Sequence, residues 1–598
     1  MENNTETVKT WLKAFNETIE LRSIAALETL FVDNAYLRNV LALNWNINTV
    51  IGTKAIATEI LTTIEDTGLT NIRLDATATP PRQIVRAGEQ TIEAFFLFDT
   101  AVGVGRGVIR IQCADTQTGK TGKSASLADA NPKAWTILTS LHELTGHEES
   151  TGLNRPVGPV HSRDFQGPNW LDRRNETRAF KDREPAVLVV GAGQAGLSIA
   201  ARLTQLGVDT LVIEKNQRVG DNWRHRYHAL TLHNQVYANH LPYMPFPPNW
   251  PVYIPKDKLA HWFEAYAEAM ELNIWTATQL LESKYNAEEQ CWQATVATVN
   301  GNNRIFKPRH IVMATSISGS ANMPEIEGLS KYKGELVHAS RYSDGEAYKD
   351  KTVLVIGAGT SGHDIAQDLA SSGASVTMVQ RSPTMIINIE PGAQLPYSLY
   401  HEGPSLEECD LITVAMPFPL QRKSHIGFTA IAKEQDWPLL EKLEKRGMRL
   451  DYGRDDTGWQ FKYLTRGGGY YFNVGASDMI ADGRINLIQF SDIKQFDVAG
   501  VELVDEQRID TDLIVLATGY QGMSAMVEKL FGSEVANRVG PIWGFDEQEL
   551  ELRNMYCRTP QPGLWFMAGS FAQCRINSKY LALQIKACEE GLMSASNK

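Results

Sequence analysis

A glycine-rich loop that follows a short apolar run and opens a helical segment occurs twice in this chain. No other feature limits the fold so strongly. In the first copy AVLVV runs into Gly191-x-Gly193-x-x-Gly196, then into the helical LSIAARLTQLG and the strand TLVIE. In the second, TVLVI runs into Gly357-x-Gly359-x-x-Gly362, then into HDIAQDLASSG and SVTMVQ. A strand, a tight glycine turn and a helix make the opening of a βαβ unit. Its first glycine permits the turn, its second lets a pyrophosphate approach the backbone, and its third lets helix pack on strand. Two such openings predict two nucleotide-binding units of parallel α/β type.

The ends of the second strands separate the two sites. The first ends in Glu214, where a carboxylate can accept hydrogen bonds from ribose hydroxyls, as FAD requires. The corresponding position of the second unit is Gln380, followed by Arg381. An acid there would repel a 2′-phosphate, whereas arginine can pair with it, so the second site suits NADPH over NADH. A chain holding both cofactors passes hydride from nicotinamide to flavin. A disulfide acceptor would need paired cysteines beside the flavin. Cys113, Cys291, Cys409, Cys557, Cys574 and Cys588 are scattered without a C-x-x-C, which leaves molecular oxygen as the remaining common acceptor.

Composition removes other classes. A formal net charge of -12 lacks the basic footprint of nucleic-acid binding. The amino end has no basic-then-apolar leader, and no apolar run reaches the ~20 residues of a membrane helix. A reduced, cytoplasmic protein with neither a nucleic-acid nor a membrane partner is the expectation.

Between the loops stands Tyr332-x-Gly334-x-x-x-His338-x-x-x-Tyr342. This resembles the linker fingerprint of the flavin-containing monooxygenases (class B flavoprotein monooxygenases, YUCCA-like and fungal type), with Tyr332 in place of the opening Phe. The resemblance covers roughly 185–598. GDNWRHRYHALTLHN (220–234) is similar to the segment that lines the flavin, with Trp223 in it, and 241–267 to the family's Met-Pro-Phe-Pro stretch. Asp512 and Ala517-Thr518-Gly519-Tyr520 resemble the late strand-turn motif coupling the two cofactor regions. The earlier counterpart, Met313-Ala314-Thr315, continues with Ser316 rather than Gly. Residues 563–585 resemble the strand and helix that close over the isoalloxazine.

The resemblance implies FAD and NADPH as cofactors, and a flavin C4a-hydroperoxide that oxygenates a small organic substrate. Amine nitrogen, sulfur and an α-keto acid are the targets it implies, with molecular oxygen as co-substrate. It implies Asn234 as the active-site asparagine, His338 as an organiser of the linker, and Thr518 and Gly519 as cofactor contacts. Two alternatives stay open: an NADPH oxidase-like flavoprotein that releases hydrogen peroxide, and a flavin-stabilised binding or scaffold protein. His225, His228 and His233 crowd one segment, but their setting near a flavin loop favours roles other than metal binding.

Residues 1–150 speak a different grammar. A helical pattern (Val8, Leu12, Phe15, Ile19) precedes strand-like TIEAFFLFDT, GRGVIRIQC and KAWTILTSL, an α+β order with no phosphate loop. This resembles the NTF2-like (SnoaL-like) cone. Asp33, Arg38 and His142 are its candidate pocket residues, and a structural or dimer-forming role, as in a homodimer, is the expectation. The expected division is therefore 1–150 as the cone; 151–184 as a linker without periodicity; 185–345 as the first part of the FAD domain; 346–510 as the NADPH domain; and 511–598 as the closing part of the FAD domain.

Overall fold

The computed structural model describes residues 2–112, 131–157, 165–548 and 550–595. Cys113 and the middle of the expected linker, 158–164, lie outside them.

Two five-stranded parallel sheets carry the α/β part. The first runs Ile274–Trp275, Thr210–Ile213, Val187–Val190, His310–Met313, Leu564–Phe566. The second runs Glu335–His338, Leu513–Leu516, Thr352–Ile356, Ser375–Gln380, Asn486–Gln489. Their central strands, such as Val187–Val190 and Leu513–Leu516, are buried along their whole length. That is the pattern of parallel sheets covered by helices on both faces. The sheets redraw two of the expected boundaries. Glu335–His338 was expected with the first unit and Leu513–Leu516 with its closing part, yet both pair in the second sheet. The chain crosses between units before the linker fingerprint and again after Leu516, because adjacent parallel strands bury their backbone polar groups only against each other.

A helical insertion leaves the second sheet after Ser375–Gln380. It comprises the 3₁₀ segment Gly392–His401 and the helices Leu406–Val414, Phe418–Lys445 and Gly458–Arg466. The two-stranded sheet Met385–Asn388 with Tyr470–Asn473 closes it at its base. The stretch 151–184, read as lacking periodicity, contains the helix Trp170–Ala179, started by a capping box between Asn169 and Asp172. That helix lies against the edge of the first sheet, where Trp275 Nε1 donates to Arg178 O at 2.8 Å and Arg174 donates to the carbonyl of Leu272.

The amino-terminal unit packs the helices Glu2–Leu21, Ile24–Glu28 and Thr53–Thr67 on a seven-stranded sheet, antiparallel except where Phe31–Val40 pairs with Ala134–Leu144. Neighbouring residues on its strands point to opposite faces. Phe96, Ile109 and Ile137 join Trp11 and Phe15 in the unit's own core. Phe95, Val108 and Leu138 join the core of the first α/β unit instead. Both faces are therefore covered, one by the unit's helices and one by the rest of the chain.

Candidate active site

The two glycine loops open into one cavity of about 1540 Å³. In each loop the first glycine has a left-handed backbone, with φ +108° at Gly191 and +125° at Gly357. The third is packed too closely for any side chain: a Cβ at Gly196 would lie 1.8 Å from Gly191 O, and one at Gly362 1.9 Å from Gly357 O. The second is different. A Cβ at Gly193 would meet only the Asn222 side chain, at 3.3 Å, and one at Gly359 would meet nothing within 4 Å. Gly193 and Gly359 therefore keep space clear beside the helices Gln194–Gln205 and Thr360–Ser371, neither of which has a side-chain cap. Open helix N-termini facing a cleared cavity fit a pyrophosphate.

Glu214 is buried at the cavity wall, accepting from Ala192 N at 2.8 Å and Asn216 N at 2.9 Å. These bonds fix its carboxylate beside the first loop. Trp223 lines the same wall, stacks on Phe571 at 6.2 Å, and has a buried Nε1 without a hydrogen-bond partner. A buried, unpartnered donor beside a cleared phosphate cradle fits a large polar cofactor. At the second loop Gln380 is consumed by structure, accepting from Arg449 N at 2.8 Å and Gln489 Nε2 at 3.0 Å. Arg381 stands exposed on the cavity rim, with no ion pair recorded among the described residues. Ser382 and Thr384 line the cavity beside it; sequence reasoning passed over both, as it did Asn222.

The fingerprint between the loops is a clasp. Tyr332 OH donates to Thr511 O at 2.9 Å, and Tyr342 OH donates to Asp368 Oδ2 at 2.6 Å. His338 Nδ1 accepts from Ser340 N at 3.1 Å, so its Nε2 carries the proton given to Gly519 O at 3.1 Å. Burial lowers the His338 pKa and keeps the ring neutral, the form this pairing needs. Thr518 Oγ1 donates to Asn322 O at 2.7 Å, tying the strand-turn motif to the crossing segment. Gly519 has φ +79°, and Ser316, its degenerate counterpart, adopts φ +69°. Both turns thus take the same left-handed form, at a cost of roughly 1–2 kcal/mol for the serine.

One wall of the cavity is aromatic, and Thr360 Oγ1, next to Gly359, donates to Tyr470 O in it at 3.0 Å. Tyr397, Trp459, Tyr463, Tyr470 and Phe472 form it, with Trp459 4.8 Å from Phe472 and 6.1 Å from Tyr397 between ring centroids. Asn234 sits among them and donates from Nδ2 to Tyr397 OH at 3.0 Å. Burial pushes the phenols of Tyr397, Tyr463 and Tyr470 up, so all three remain protonated. Apart from Asn234, this wall comes from the insertion and escaped the sequence reading. His233 lines the cavity near Phe472, whereas His225 is largely exposed, and no group of metal-binding residues exists among the described residues.

The three polar candidates of the amino-terminal unit do not converge. Asp33 is exposed, Arg38 pairs with Glu551, and His142 accepts from Lys579 Nζ at 2.5 Å. Arg38 and His142 lie on the sheet face turned toward the α/β part. The sheet face under the unit's own helices is filled by Trp11, Phe15, Phe31, Phe96 and Phe98.

Two parallel dinucleotide-type sheets sharing one cavity define a two-nucleotide oxidoreductase. A family model described as pyridine nucleotide-disulphide oxidoreductase matches residues 188–395. The chain is 30% identical over 338 residues to the probable indole-3-pyruvate monooxygenase YUCCA8 of Arabidopsis thaliana, covering 56% of this chain and 74% of that one. It is 29% identical over 383 residues to the indole-3-pyruvate monooxygenase YUCCA1 of Oryza sativa subsp. japonica, covering 64% and 84%. A solved structure of OTEMO in complex with FAD and NADP shares the fold at TM-score 0.51 and 17% identity, covering 68% of this chain and 87% of that one. Over residues ~150–598 the chain belongs to the class B flavin monooxygenases, and it is an oxidoreductase of that type. No helix among the described residues is long and apolar enough to cross a membrane.

Proposed function

We propose that the chain binds FAD at the first loop and NADPH at the second, and transfers oxygen to a small substrate carrying an aromatic group. The single observation that carries this reading is the continuity of the cavity, which runs from both loops to the aromatic wall without a partition. When bound, the flavin supplies hydride acceptance and oxygen activation. The protein's own residues do the rest. Amides following Gly193 and Gly359 face the two pyrophosphates, Glu214 takes ribose hydroxyls, and Arg381 takes the 2′-phosphate. His338, Thr518 and Gly519 hold the turn where the two units meet. Asn234, oriented by Tyr397 OH, presents an amide at the aromatic wall. The aromatic wall excludes water from the reacting centre and gives a flat substrate a stacking surface.

An aromatic α-keto acid is the favoured substrate class. Arg466 lines the same cavity two residues after Leu464 and four before Tyr470, half-exposed, with its Nη2 held 3.5 Å from Asp451 Oδ2 and its other donors left to a ligand. A guanidinium at the rim of an aromatic wall suits a flat substrate with a carboxylate. The test is NADPH consumption with phenylpyruvate, thioanisole, an aromatic amine and an aromatic ketone, with hydrogen peroxide counted in each reaction. The expected result is phenylacetate formed in step with NADPH consumption while catalase removes free peroxide, which would otherwise decarboxylate the α-keto acid by itself. No oxygenated product from any compound in the presence of catalase, with stoichiometric peroxide from the amine, thioether and ketone reactions, contradicts oxygen transfer and favours an oxidase.

A further inference from the structure

The helix Leu406–Val414 is held at both ends by the amino-terminal unit. At its start Glu408 completes a capping box with Ser405, and the same carboxylate accepts from Thr79 N at 2.7 Å and Thr79 Oγ1 at 2.9 Å. At its end the Arg110 guanidinium donates to Ala415 O at 3.1 Å and Ile412 O at 3.4 Å, carbonyls that a helix leaves without internal partners. A cation there also complements the helix dipole. Arg110 is fully buried on the strand Gly103–Gln112 and is aimed by Glu93 Oε2 at 2.9 Å and Thr136 Oγ1 at 3.2 Å. Burial alone would raise the Glu93 pKa, but Arg110 and Arg86 hold it at about 2, so the pair is ionised. Arg82 and Arg86 extend the network across the boundary to Glu402, directly after the 3₁₀ segment Gly392–His401, with contacts of 2.7–2.8 Å.

What these contacts hold is part of the cavity lining, including the 3₁₀ segment that carries Tyr397 of the aromatic wall. Thr413 and Tyr400 line the cavity too. Asp410, in the middle of the clamped helix, accepts from Tyr400 OH at 2.9 Å and pairs with Arg575 at 2.6 and 2.7 Å. Arg575 in turn donates to Ala238 O and His240 O, beyond the segment that carries Asn234, and sits on the helix Phe571–Glu589, whose first turns line the cavity. A buried ion network of this kind adds little net stability against an apolar replacement; what it adds is one fixed geometry.

We propose that the amino-terminal unit is a fixed part of the oxygenating site, and that Arg110 is the positioning residue through which it sets the wall that substrate meets. This rests on the monooxygenase reading above. A separate binding module would leave the wall unchanged when the contact is cut.

The test uses the full-length, FAD-loaded protein with Arg110→Met, Arg110→Lys and Thr79→Val, and phenylpyruvate as probe. Arg110→Met should speed amide hydrogen exchange in 392–401 and 406–414 by about ten-fold, with exchange in 187–190 and 352–356 unchanged. It should raise KM for phenylpyruvate several-fold and lower the phenylacetate formed per NADPH with catalase present, with FAD content retained; Arg110→Lys should recover part of each loss. Wild-type exchange in both segments, or an unchanged KM and phenylacetate yield, overturns the proposal. If Arg110→Met does not fold, Thr79→Val decides it: faster exchange in 406–414 supports the clamp and wild-type exchange overturns it. A wild-type protein that forms no phenylacetate with catalase present ends phenylpyruvate as its substrate, and the exchange measurement alone then decides the clamp.

Discussion

Gly193 and Gly196 stand three residues apart and answer to different partners. Gly196 is required by the polypeptide, because any Cβ would collide with Gly191 O. Gly193 is required by what enters the cavity, because the surrounding chain leaves it room. Gly193→Ala should therefore fold with near wild-type melting temperature and be purified without flavin. Gly196→Ala should fall in stability, by about 1–3 kcal/mol or more for an overpacked site, before cofactor is considered. Melting temperature and flavin absorbance of the two purified variants check this; a flavin-loaded Gly193→Ala would remove the first loop from the cofactor site. The loops were legible in the sequence because glycine spacing is itself the geometry. Arg381 was legible by position, but Gln380 was not: its burial against Arg449 and Gln489 depends on segments far along the chain.

At the scale of elements, two helices carry histidines that the fold keeps neutral, His363 buried and His425 half-buried. His363, on Thr360–Ser371, lies 4.2 Å from Tyr471 in a stacked pair, with its Nδ1 3.2 Å from Gly359 O and its buried Nε2 unpartnered. His425, on Phe418–Lys445, packs against Phe428 and Phe461. Burial lowers both to about 4. The unfolded chain takes up these protons first, so the stability they contribute is complete above the unfolded value near 6.5 and is lost as pH falls toward 4. Each is worth on the order of a few kcal/mol over that window, at about 1.4 kcal/mol per unit. Glu93 and Glu589, held at about 2, stay ionised throughout it. Melting temperature should drop between about pH 6.5 and 4, and His363→Phe, which keeps the stacked ring, should flatten the drop; an equal slope in the variant contradicts the assignment. The helical insertion itself was not legible as a site wall. Its residues carry no motif with a fixed spacing, and only the return of Met385–Asn388 beside Tyr470–Asn473 brings Tyr397, Trp459 and Tyr470 together. The stretch 151–184 hid a helix for a related reason: Trp170–Ala179 is polar and is fixed from outside by the Leu272 carbonyl and the Trp275 side chain.

At the scale of the whole molecule, the chain joins a family enzyme to an amino-terminal sheet with two apolar faces. That second face was written in the strands, where AFFLF and GVIRI place apolar residues at consecutive positions rather than alternate ones. Consecutive apolar residues mean a sheet buried on both sides. Recognising what covers the outer face needed the fold, since Val187–Val190, the helix Phe571–Glu589 and the sheet meet only in three dimensions. The candidates Asp33, Arg38 and His142 could not be sorted from sequence for the same reason: two of the three serve the join. The central claim is that one cavity brings a bound flavin within reach of NADPH. Anaerobic addition of nicotinamide cofactor to the purified protein tests it most directly. The account predicts a yellow protein bleached far faster by NADPH than by NADH, with the preference lost in Arg381→Ala. A colourless protein, or a yellow one that NADPH does not bleach, would contradict it.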